Sequence, residues 1–161
     1  MDKLTNNEIE FFMNKALEEA KTAYELGEVP VGAVIVRNGE IVATGHNKRE
    51  TEKNAILHAE TDAINNACKA LGGWRLWNCE LYVTLEPCPM CAGAIINAHI
   101  PKVYFGAYDI KNGSCGSITN LFELPYGFKP EYTGGILEEE CSQIIKDFFK
   151  DLRKNKQITE K

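Results

Sequence analysis

Two short segments of the chain carry residue types that could bind a metal ion and move protons. They are His58-Ala59-Glu60 and Pro87-Cys88-Pro89-Met90-Cys91. Cys88 and Cys91 are three residues apart, a spacing that lets both sulfur atoms face one ion. A helix beginning at this point would favour their thiolate forms. With the His58 imidazole, the two sulfur atoms make three candidate ligands for Zn²⁺.

The number of candidate ligands predicts a catalytic zinc site. Structural zinc normally has four protein ligands, whereas catalytic zinc has three and keeps one position for water. Zinc lowers the pKa of that water from about 15.7 towards about 7, which provides a nucleophile at neutral pH. Glu60 follows His58 by two residues and is therefore the candidate group for moving protons beside the metal.

Each segment has a simpler interpretation when it is considered alone. A Cys-x-x-Cys pair can be a redox couple or two ordinary buried thiols, and an isolated His-x-Glu run indicates little. In this order, with Pro87 before the first cysteine, the segments form the H-x-E…P-C-x-x-C signature of zinc deaminases. The redox interpretation leaves His58 and Glu60 without a role. The other cysteines have no metal-binding spacing, and they are Cys68, Cys79, Cys115 and Cys141. His46 and His99 stay open as ligands in principle.

The predicted helices and strands place both segments at helix starts on one edge of a sheet. Apolar periodicity, β-rich runs and turn residues predict the order of elements. The first half has a helix from about 8 to 26 capped by Asn6 or Asn7, strands at 31–36 and 41–44 joined by Asn38-Gly39, a loop at 45–57 and a helix at 58–71. The second half has a strand at 81–85, a helix at 89–98, a strand at 102–106, a polar segment at 109–135 with one short helix and a weak strand at 131–133, and a helix at 136–153. Helices that alternate with strands indicate one α/β domain over residues 1–161, in which an antiparallel hairpin opens a sheet covered on both faces.

Length and composition exclude several classes of protein. The chain has 161 residues, of which 44% are hydrophobic and 25% charged. These values are typical of one globular domain and not of disordered or collagen-like chains. No apolar run approaches the roughly 20 residues of a membrane helix, and the charged N-terminus does not resemble a signal peptide. Six cysteines in such a chain predict reduced thiols and a cytoplasmic location.

The charge of the chain is unevenly distributed. The formal net charge is −5, which argues against a general nucleic-acid binder because such proteins are usually basic. Residues 146–161 carry a net charge of +3, so the remaining residues carry −8. Without other evidence, the simpler interpretation of the basic segment is a solvated helix end that complements its own dipole.

The sequence resembles the bacterial tRNA-specific adenosine deaminases of the cytidine deaminase superfamily. The resemblance rests first on His58–Glu60 and on the run Leu81–Ala94, and it extends over nearly the whole chain. The other matching segments are Glu28–Ala33, Gly45–Asn47, Trp74–Leu76, Phe105–Ala107 with Asp109, Gly116-Ser117, Gly135–Leu137 and Asp147–Lys150. The superfamily shares the metal signature, whereas the flanking segments, above all Phe148-Phe149, are typical of the tRNA enzymes.

The resemblance implies a fold, a cofactor and a reaction. The fold is a three-layer α/β/α sandwich with a mixed sheet of about five strands, and the protein is a cytoplasmic homodimer with one Zn²⁺ per subunit. The reaction is the hydrolysis of adenosine to inosine at the wobble position of a tRNA anticodon stem-loop. His58, Cys88 and Cys91 match the zinc ligands. Glu60 matches the proton shuttle for the attack of zinc-activated water on C6 of adenine.

Residues outside the metal segments match substrate positions of the family. Asn47 matches a substrate-contacting asparagine, and Asp109 matches a position near the ribose of the target nucleotide. The remaining matches fall in segments that line the RNA cleft, and they are Val29, Lys111, Ser117, Phe149 and Arg153. The basic segment 146–161 then becomes a candidate wall of a local RNA-binding cleft in an otherwise acidic protein.

The sequence also departs from the family pattern. Pro89 is often valine in the tRNA enzymes, and Cys-Pro-Met-Cys also occurs in free-base deaminases such as guanine deaminases. Tyr108 replaces the usual arginine, and residues 127–130 replace an Asn-His-Arg run, although Tyr126, Phe128 and Lys129 could supply stacking and charge. Two alternatives therefore stay open: a deaminase of a free base or nucleoside of the guanine or cytosine type, and a zinc-stabilised RNA-binding module. Glu60 disfavours the second, because a structural metal site has no use for a proton shuttle.

Overall fold

The fold is built on a five-stranded sheet with helices on both faces. The structure is a computed structural model that describes residues 4–159. Within that range, the elements in chain order are α1 (Asn6–Glu25), β1 (Gly32–Arg37), β2 (Glu40–His46), α2 (Ala59–Leu71), β3 (Cys79–Leu85), α3 (Pro89–Asn97), β4 (Lys102–Ala107), a 3₁₀ turn (Leu121–Glu123), β5 (Glu131–Thr133) and α4 (Glu138–Thr159). No helix within residues 4–159 combines the length and the apolar character needed to cross a membrane.

The sheet is mixed, and its strand order is β2-β1-β3-β4-β5. Strand β1 is antiparallel to β2 and β3, whereas β4 is parallel to β3 and β5. The hairpin turn between β1 and β2 has Asn38 at φ 52° and Gly39 at φ 78°, the left-handed pair that a two-residue turn of this kind needs. The predicted mixed sheet opened by one hairpin is confirmed.

Two separate apolar clusters cover the faces of the sheet and give the predicted three layers. On one face, the alanines of α2 and Ile95 of α3 pack against Ile35, Leu81 and Val83. On the other face, Phe12 and Met13 of α1 and Cys141 of α4 pack against the opposite sides of the same strands; the strand residues of this cluster are Val34, Val36, Tyr82, Tyr104 and Ala107. Successive side chains along each strand point to opposite faces of the sheet, so neighbouring strand residues belong to different clusters.

Close backbone packing between α2 and β2 fixes the position of α2. A β-carbon built on Gly45 would lie 2.5 Å from the carbonyl oxygen of Ala59, and it would also clash with the amide nitrogen of Ala63. Only glycine leaves room for this approach. The contact lies in the first turns of α2, so it sets the distance between the sheet and the residues that begin this helix.

The differences from the predicted elements lie at their ends. Thr5 caps α1 instead of Asn6 or Asn7, because the Glu8 N–H donates to Thr5 Oγ1 (3.3 Å) while Glu8 Oε2 accepts from the Thr5 N–H (2.8 Å). The last helix begins at Glu138 rather than residue 136, because Leu137 has the left-handed φ of 50°. It also continues beyond residue 153, and β2 extends two residues into the predicted loop.

Candidate active site

His58, Cys88 and Cys91 meet at one edge of the sheet, and their ligand atoms all lie within 4.8 Å of one another. His58 Nδ1 is 3.6 Å from Cys88 Sγ and 3.5 Å from Cys91 Sγ. Tetrahedral zinc, with Zn–S near 2.3 Å and Zn–N near 2.0–2.1 Å, would hold a sulfur and a nitrogen about 3.6 Å apart. The donor separations in the structure therefore fit Zn²⁺.

Helix N-termini place all three donors. His58 is the N-cap of α2, and its backbone N–H donates to Thr61 Oγ1 at 3.0 Å. Cys88 is the N-cap of α3, where Pro89 occupies the first helical position, so Cys91 falls in the first turn on the same side. Both helices begin at the same edge of the sheet, and their positive ends favour the anionic form of the sulfur ligands.

Hydrogen bonds couple the proton affinities of His58, Cys88 and Cys91. Hydrogen bonding from Cys91, supported by His58, lowers the pKa of Cys88 to about 4. The hydrogen bond to Cys88, together with burial, raises the pKa of Cys91, and the hydrogen bond with Cys88 raises the pKa of His58. Both sulfur ligands must be deprotonated to bind zinc, so metal binding releases the protons that these groups hold.

Glu60 is a buried carboxyl group in the first turn of α2, with only 4% of its surface exposed. Burial raises its pKa to about 7, and the Cys91 side chain is a hydrogen-bond partner. A carboxyl group of this kind, next to a metal site, has the chemistry of a general acid and base.

A cavity of about 860 Å³ opens above the metal cluster. Its walls come from the segments that precede β1 and follow β2, the two metal segments, the segment after β4 and one face of α4. The lining residues include Val29, Asn47, Arg49, His58, Glu60, Cys88, Tyr108, Asp109, Ile110, Lys111, Asn112, Ser142, Ile145, Lys146 and Phe149. The volume lies within the range of small-molecule sites, roughly 300–1,000 Å³.

Five of the predicted substrate residues lie on this cavity, namely Val29, Asn47, Asp109, Lys111 and Phe149. Asn47 is held in place because its Nδ2 donates to the carbonyl oxygen of Val29 (3.2 Å) and its Oδ1 accepts from the Arg49 N–H (3.2 Å). Asp109 Oδ1 accepts from the backbone N–H groups of Lys111 and Asn112, both at 3.1 Å. Asp109 therefore shapes the turn that carries Lys111.

The other two predicted residues lie outside the cavity wall. The hydroxyl group of Ser117 donates to the Glu86 carboxylate, so it is directed into the protein. Arg153 lies on the exposed part of α4, four residues beyond Phe149, which places it on the continuation of the helix face that lines the cavity.

Arg49, Tyr108 and Lys146 are among the lining residues that the sequence did not predict as site residues. Arg49 lies in a polar loop that has no periodic pattern. Tyr108 was noted only as a departure from the family. Lys146 was noted only as part of the basic segment, although it shares a helix face with Ser142, Ile145 and Phe149. The i, i+3, i+4 and i+7 spacing of these four residues was the available signal.

The remaining histidines are engaged elsewhere. His46 Nδ1 lies 3.1 Å from Glu19 Oε2. His99 follows α3 with a left-handed φ of 58°, and its ring stacks on Phe128 with 4.8 Å between centroids. The structure thus places Phe128 at the end of α3 opposite to Cys88. None of the six cysteines, all of which the structure describes, forms a disulfide bond.

Comparisons with known proteins agree with this geometry. Residues 6–107 match the model of the cytidine and deoxycytidylate deaminase zinc-binding region. The tRNA-specific adenosine deaminase of Bacillus subtilis (strain 168) is 53% identical over 153 residues, covering 94% of this chain and 95% of the relative. A structure solved in studies of A-to-I editing by tRNA deaminases at the wobble position of transfer RNA aligns with a TM-score of 0.81 and 43% identity, covering 83% of this chain and 98% of that one. A guanine deaminase from Bacillus subtilis aligns with a TM-score of 0.61 and 36% identity, covering 77% and 83%.

Proposed function

The chain belongs to the tRNA-specific adenosine deaminases of the cytidine deaminase superfamily, and from that premise we propose that it hydrolyses adenosine to inosine at the wobble position of a tRNA anticodon. Its cofactor is Zn²⁺, one per subunit, held by His58, Cys88 and Cys91. The observation that carries the proposal is the buried Glu60 carboxyl group beside this ligand set, in the lining of a cavity that also has basic residues on its walls.

Glu60 performs the proton transfers of the reaction. When bound, zinc acts as a Lewis acid and lowers the pKa of a water molecule towards about 7. Glu60 takes a proton from the attacking water and delivers it to N1 of adenine, which makes C6 more electrophilic. Glu60 then moves the proton of the new C6 hydroxyl group to the amino group, so the C6–N bond breaks, ammonia leaves and C6 becomes the carbonyl carbon of inosine. Adenosine and water are thereby converted to inosine and ammonia.

The walls of the cavity suit a nucleotide that is splayed out of an RNA loop. Unstacked loop bases are accessible at low cost, and the 2′-hydroxyl group distinguishes RNA from DNA. We assign Asn47 and Val29 to the base and Asp109 to the ribose. Phe149 is half-exposed at 40% and offers a surface for stacking a neighbouring base.

Basic residues around the cavity suit the phosphates of the loop. Arg49, Lys111 and Lys146 line the cavity, and Arg153 continues the same face of α4. Such contacts release counterions, so they strengthen binding in a salt-dependent way. The net charge of −5 is compatible with this function because one short loop needs a local basic cleft rather than a basic protein.

We also propose that the enzyme is a cytoplasmic homodimer that acts on the anticodon stem-loop, and its family membership supports this. The best second candidate is a free-base deaminase of the guanine type, which the Cys-Pro-Met-Cys run and the alignment with a guanine deaminase favour. The higher identity to the tRNA enzyme and the basic residues on the open cavity favour RNA.

Ammonia release from a panel of substrates tests the proposal. The zinc-loaded protein is incubated with an anticodon stem-loop RNA, free adenosine, guanine and cytidine at equal concentrations. We expect release from the RNA to be fastest by far, and Glu60→Gln, which keeps its zinc, to abolish it. Preferential deamination of guanine would replace the proposal with the free-base alternative, and bound zinc without ammonia from any substrate would indicate a non-catalytic module.

A further inference from the structure

Glu86 is a second buried carboxyl group near the metal, and the proposed reaction does not use it. It follows β3, lies two residues before Cys88 and is 2% exposed. Within residues 4–159, the side-chain oxygens accept four hydrogen bonds from three residues of one segment, 109–117, which follows β4. Oε1 accepts from the Asp109 N–H (3.2 Å) and the Ser117 hydroxyl group, and Oε2 accepts from the N–H groups of Cys115 and Ser117 (both 3.1 Å).

Backbone contacts join the same two segments. The Glu86 N–H donates to the carbonyl oxygen of Ala107 at 2.8 Å, and the carbonyl oxygen of Pro87 accepts from the Ser114 N–H at 2.9 Å. Gly113 packs directly on the carboxylate, where a β-carbon would collide with Oε2. The segment is therefore fitted around the Glu86 side chain.

The first residues of this segment form a wall of the cavity. Asp109, Ile110, Lys111 and Asn112 all line it, and Asp109 shapes the turn that presents Lys111. The metal ligand Cys88 follows Glu86 by two residues. One side chain thus links the segment that holds the metal to the segment that faces the substrate.

We propose that Glu86 is a positioning residue that fixes the substrate-facing residues 109–112 relative to the metal ligands. Three backbone N–H groups and a hydroxyl group satisfy its oxygens, an arrangement that suits a carboxylate without a cationic partner. Within residues 4–159, no lysine or arginine forms a salt bridge with it. The substrate part of this inference rests on the proposed function, because it assumes that residues 109–112 contact the RNA.

Glu86→Gln removes one of the four hydrogen bonds selectively. A carboxamide can place its NH₂ group at the position of Oε1, where it donates to the Ser117 oxygen, while its oxygen accepts from the N–H groups of Cys115 and Ser117. Only the Asp109 N–H then faces a donor and loses its acceptor. Glu86→Ala removes all four hydrogen bonds. Glu80→Gln is the matched control, since Glu80 lies on β3, the strand that precedes Glu86, is half-buried and accepts a hydrogen bond from the Tyr82 hydroxyl group (3.0 Å).

The experiment measures zinc content, RNA deamination kinetics and amide hydrogen exchange of the zinc-loaded proteins. For Glu86→Gln we expect full zinc content and kcat within about twofold. We expect KM for the stem-loop to rise about tenfold, which is ~1.4 kcal/mol. Amide exchange should accelerate at Asp109 while Cys115 and Ser117 stay protected. Glu86→Ala should accelerate exchange at all three amides and raise KM further, and Glu80→Gln should change none of these quantities.

Several outcomes would overturn the inference. Wild-type KM and exchange in Glu86→Gln would exclude the positioning role, and so would loss of zinc from this variant, since that would place Glu86 in the metal site. If Glu86→Ala does not fold, Glu86→Gln still decides. If the wild-type protein does not deaminate RNA at all, the proposed function fails, whereas amide exchange at Asp109 still tests whether Glu86 holds the segment.

Discussion

Gly45→Ala should destabilise the protein by pressing α2 away from the sheet. A β-carbon at this position would lie 2.5 Å from the carbonyl oxygen of Ala59 and would also clash with the amide nitrogen of Ala63. Ordinary van der Waals contact begins at 3.4 Å, so the helix must retreat by about 1 Å for normal contact. Both contacts are backbone atoms, which cannot rotate out of the way.

The expected cost follows from that displacement. Overpacking of this kind costs typically 1–3 kcal/mol, and the rigid backbone contacts place this substitution near the upper value, about 3 kcal/mol. For a chain of this size, each kcal/mol shifts Tm by roughly 2–4 °C, so we expect a fall of about 6–12 °C. Because α2 carries His58 and Glu60 at its start, we also expect weaker zinc binding and slower turnover.

Thermal and urea denaturation of the zinc-loaded protein measure this effect, together with zinc titration. Gly73→Ala is the matched control, because a β-carbon there meets nothing within 4 Å, and it should stay within about 0.5 kcal/mol of wild type. If Gly45→Ala has the same Tm and zinc affinity as Gly73→Ala, then backbone contact between β2 and α2 does not position the site.

Three further predictions concern the metal, the proton shuttle and the basic cleft. Glu60→Gln should keep zinc and lose deamination by roughly 10²–10⁴-fold or more, measured as inosine formed per bound zinc. Cys88→Ala, or prolonged dialysis of wild type against a chelator, should remove zinc, abolish activity and lower Tm, because a ligand bound only to the folded state stabilises it. Neutralising Lys150, Arg153 and Lys154 together should weaken binding of the stem-loop. It should also reduce the slope of log K against log [salt] by about 0.7 for each lost single-strand phosphate contact.

Each of these predictions has a control and a contradicting result. Cys68→Ala should keep zinc, since this thiol lies outside the metal cluster. Near-wild-type turnover in Glu60→Gln would remove that residue from the mechanism. Neutralising Lys21 and Lys69, which are exposed residues of α1 and α2 outside the cavity wall, should leave the salt slope almost unchanged. If the α4 variant binds RNA like the wild type, the basic segment is only a solvated helix end.

The local part of the site was predictable from sequence. His58 and Cys88 each begin a helix, and Pro89 at the first helical position is the sequence signal for the second of these starts. Local residue patterns also predicted the Asn38-Gly39 turn and the short strand at 131–133. The family resemblance then supplied residues such as Asn47 and Asp109, which the structure places on the cavity.

The parts that sequence did not reveal depend on contacts between distant residues. Lys146 reaches the cavity only because α4 packs against the sheet, where Cys141 lies against Gly106. Ser117 matched an RNA-lining segment, but its hydroxyl group is directed to Glu86, which is 31 residues away in sequence. Neither relation follows from local periodicity, because a helix or strand pattern defines a face and not its partner.

Sequencing of a synthetic anticodon stem-loop after incubation with the zinc-loaded protein tests the central claim most directly. Inosine is read as guanosine, so an A-to-G change reports each edited position. We predict this change at the wobble adenosine alone, and no change with Glu60→Gln or after removal of zinc. Unedited RNA in the presence of protein that carries zinc and deaminates guanine or cytidine would contradict the claim.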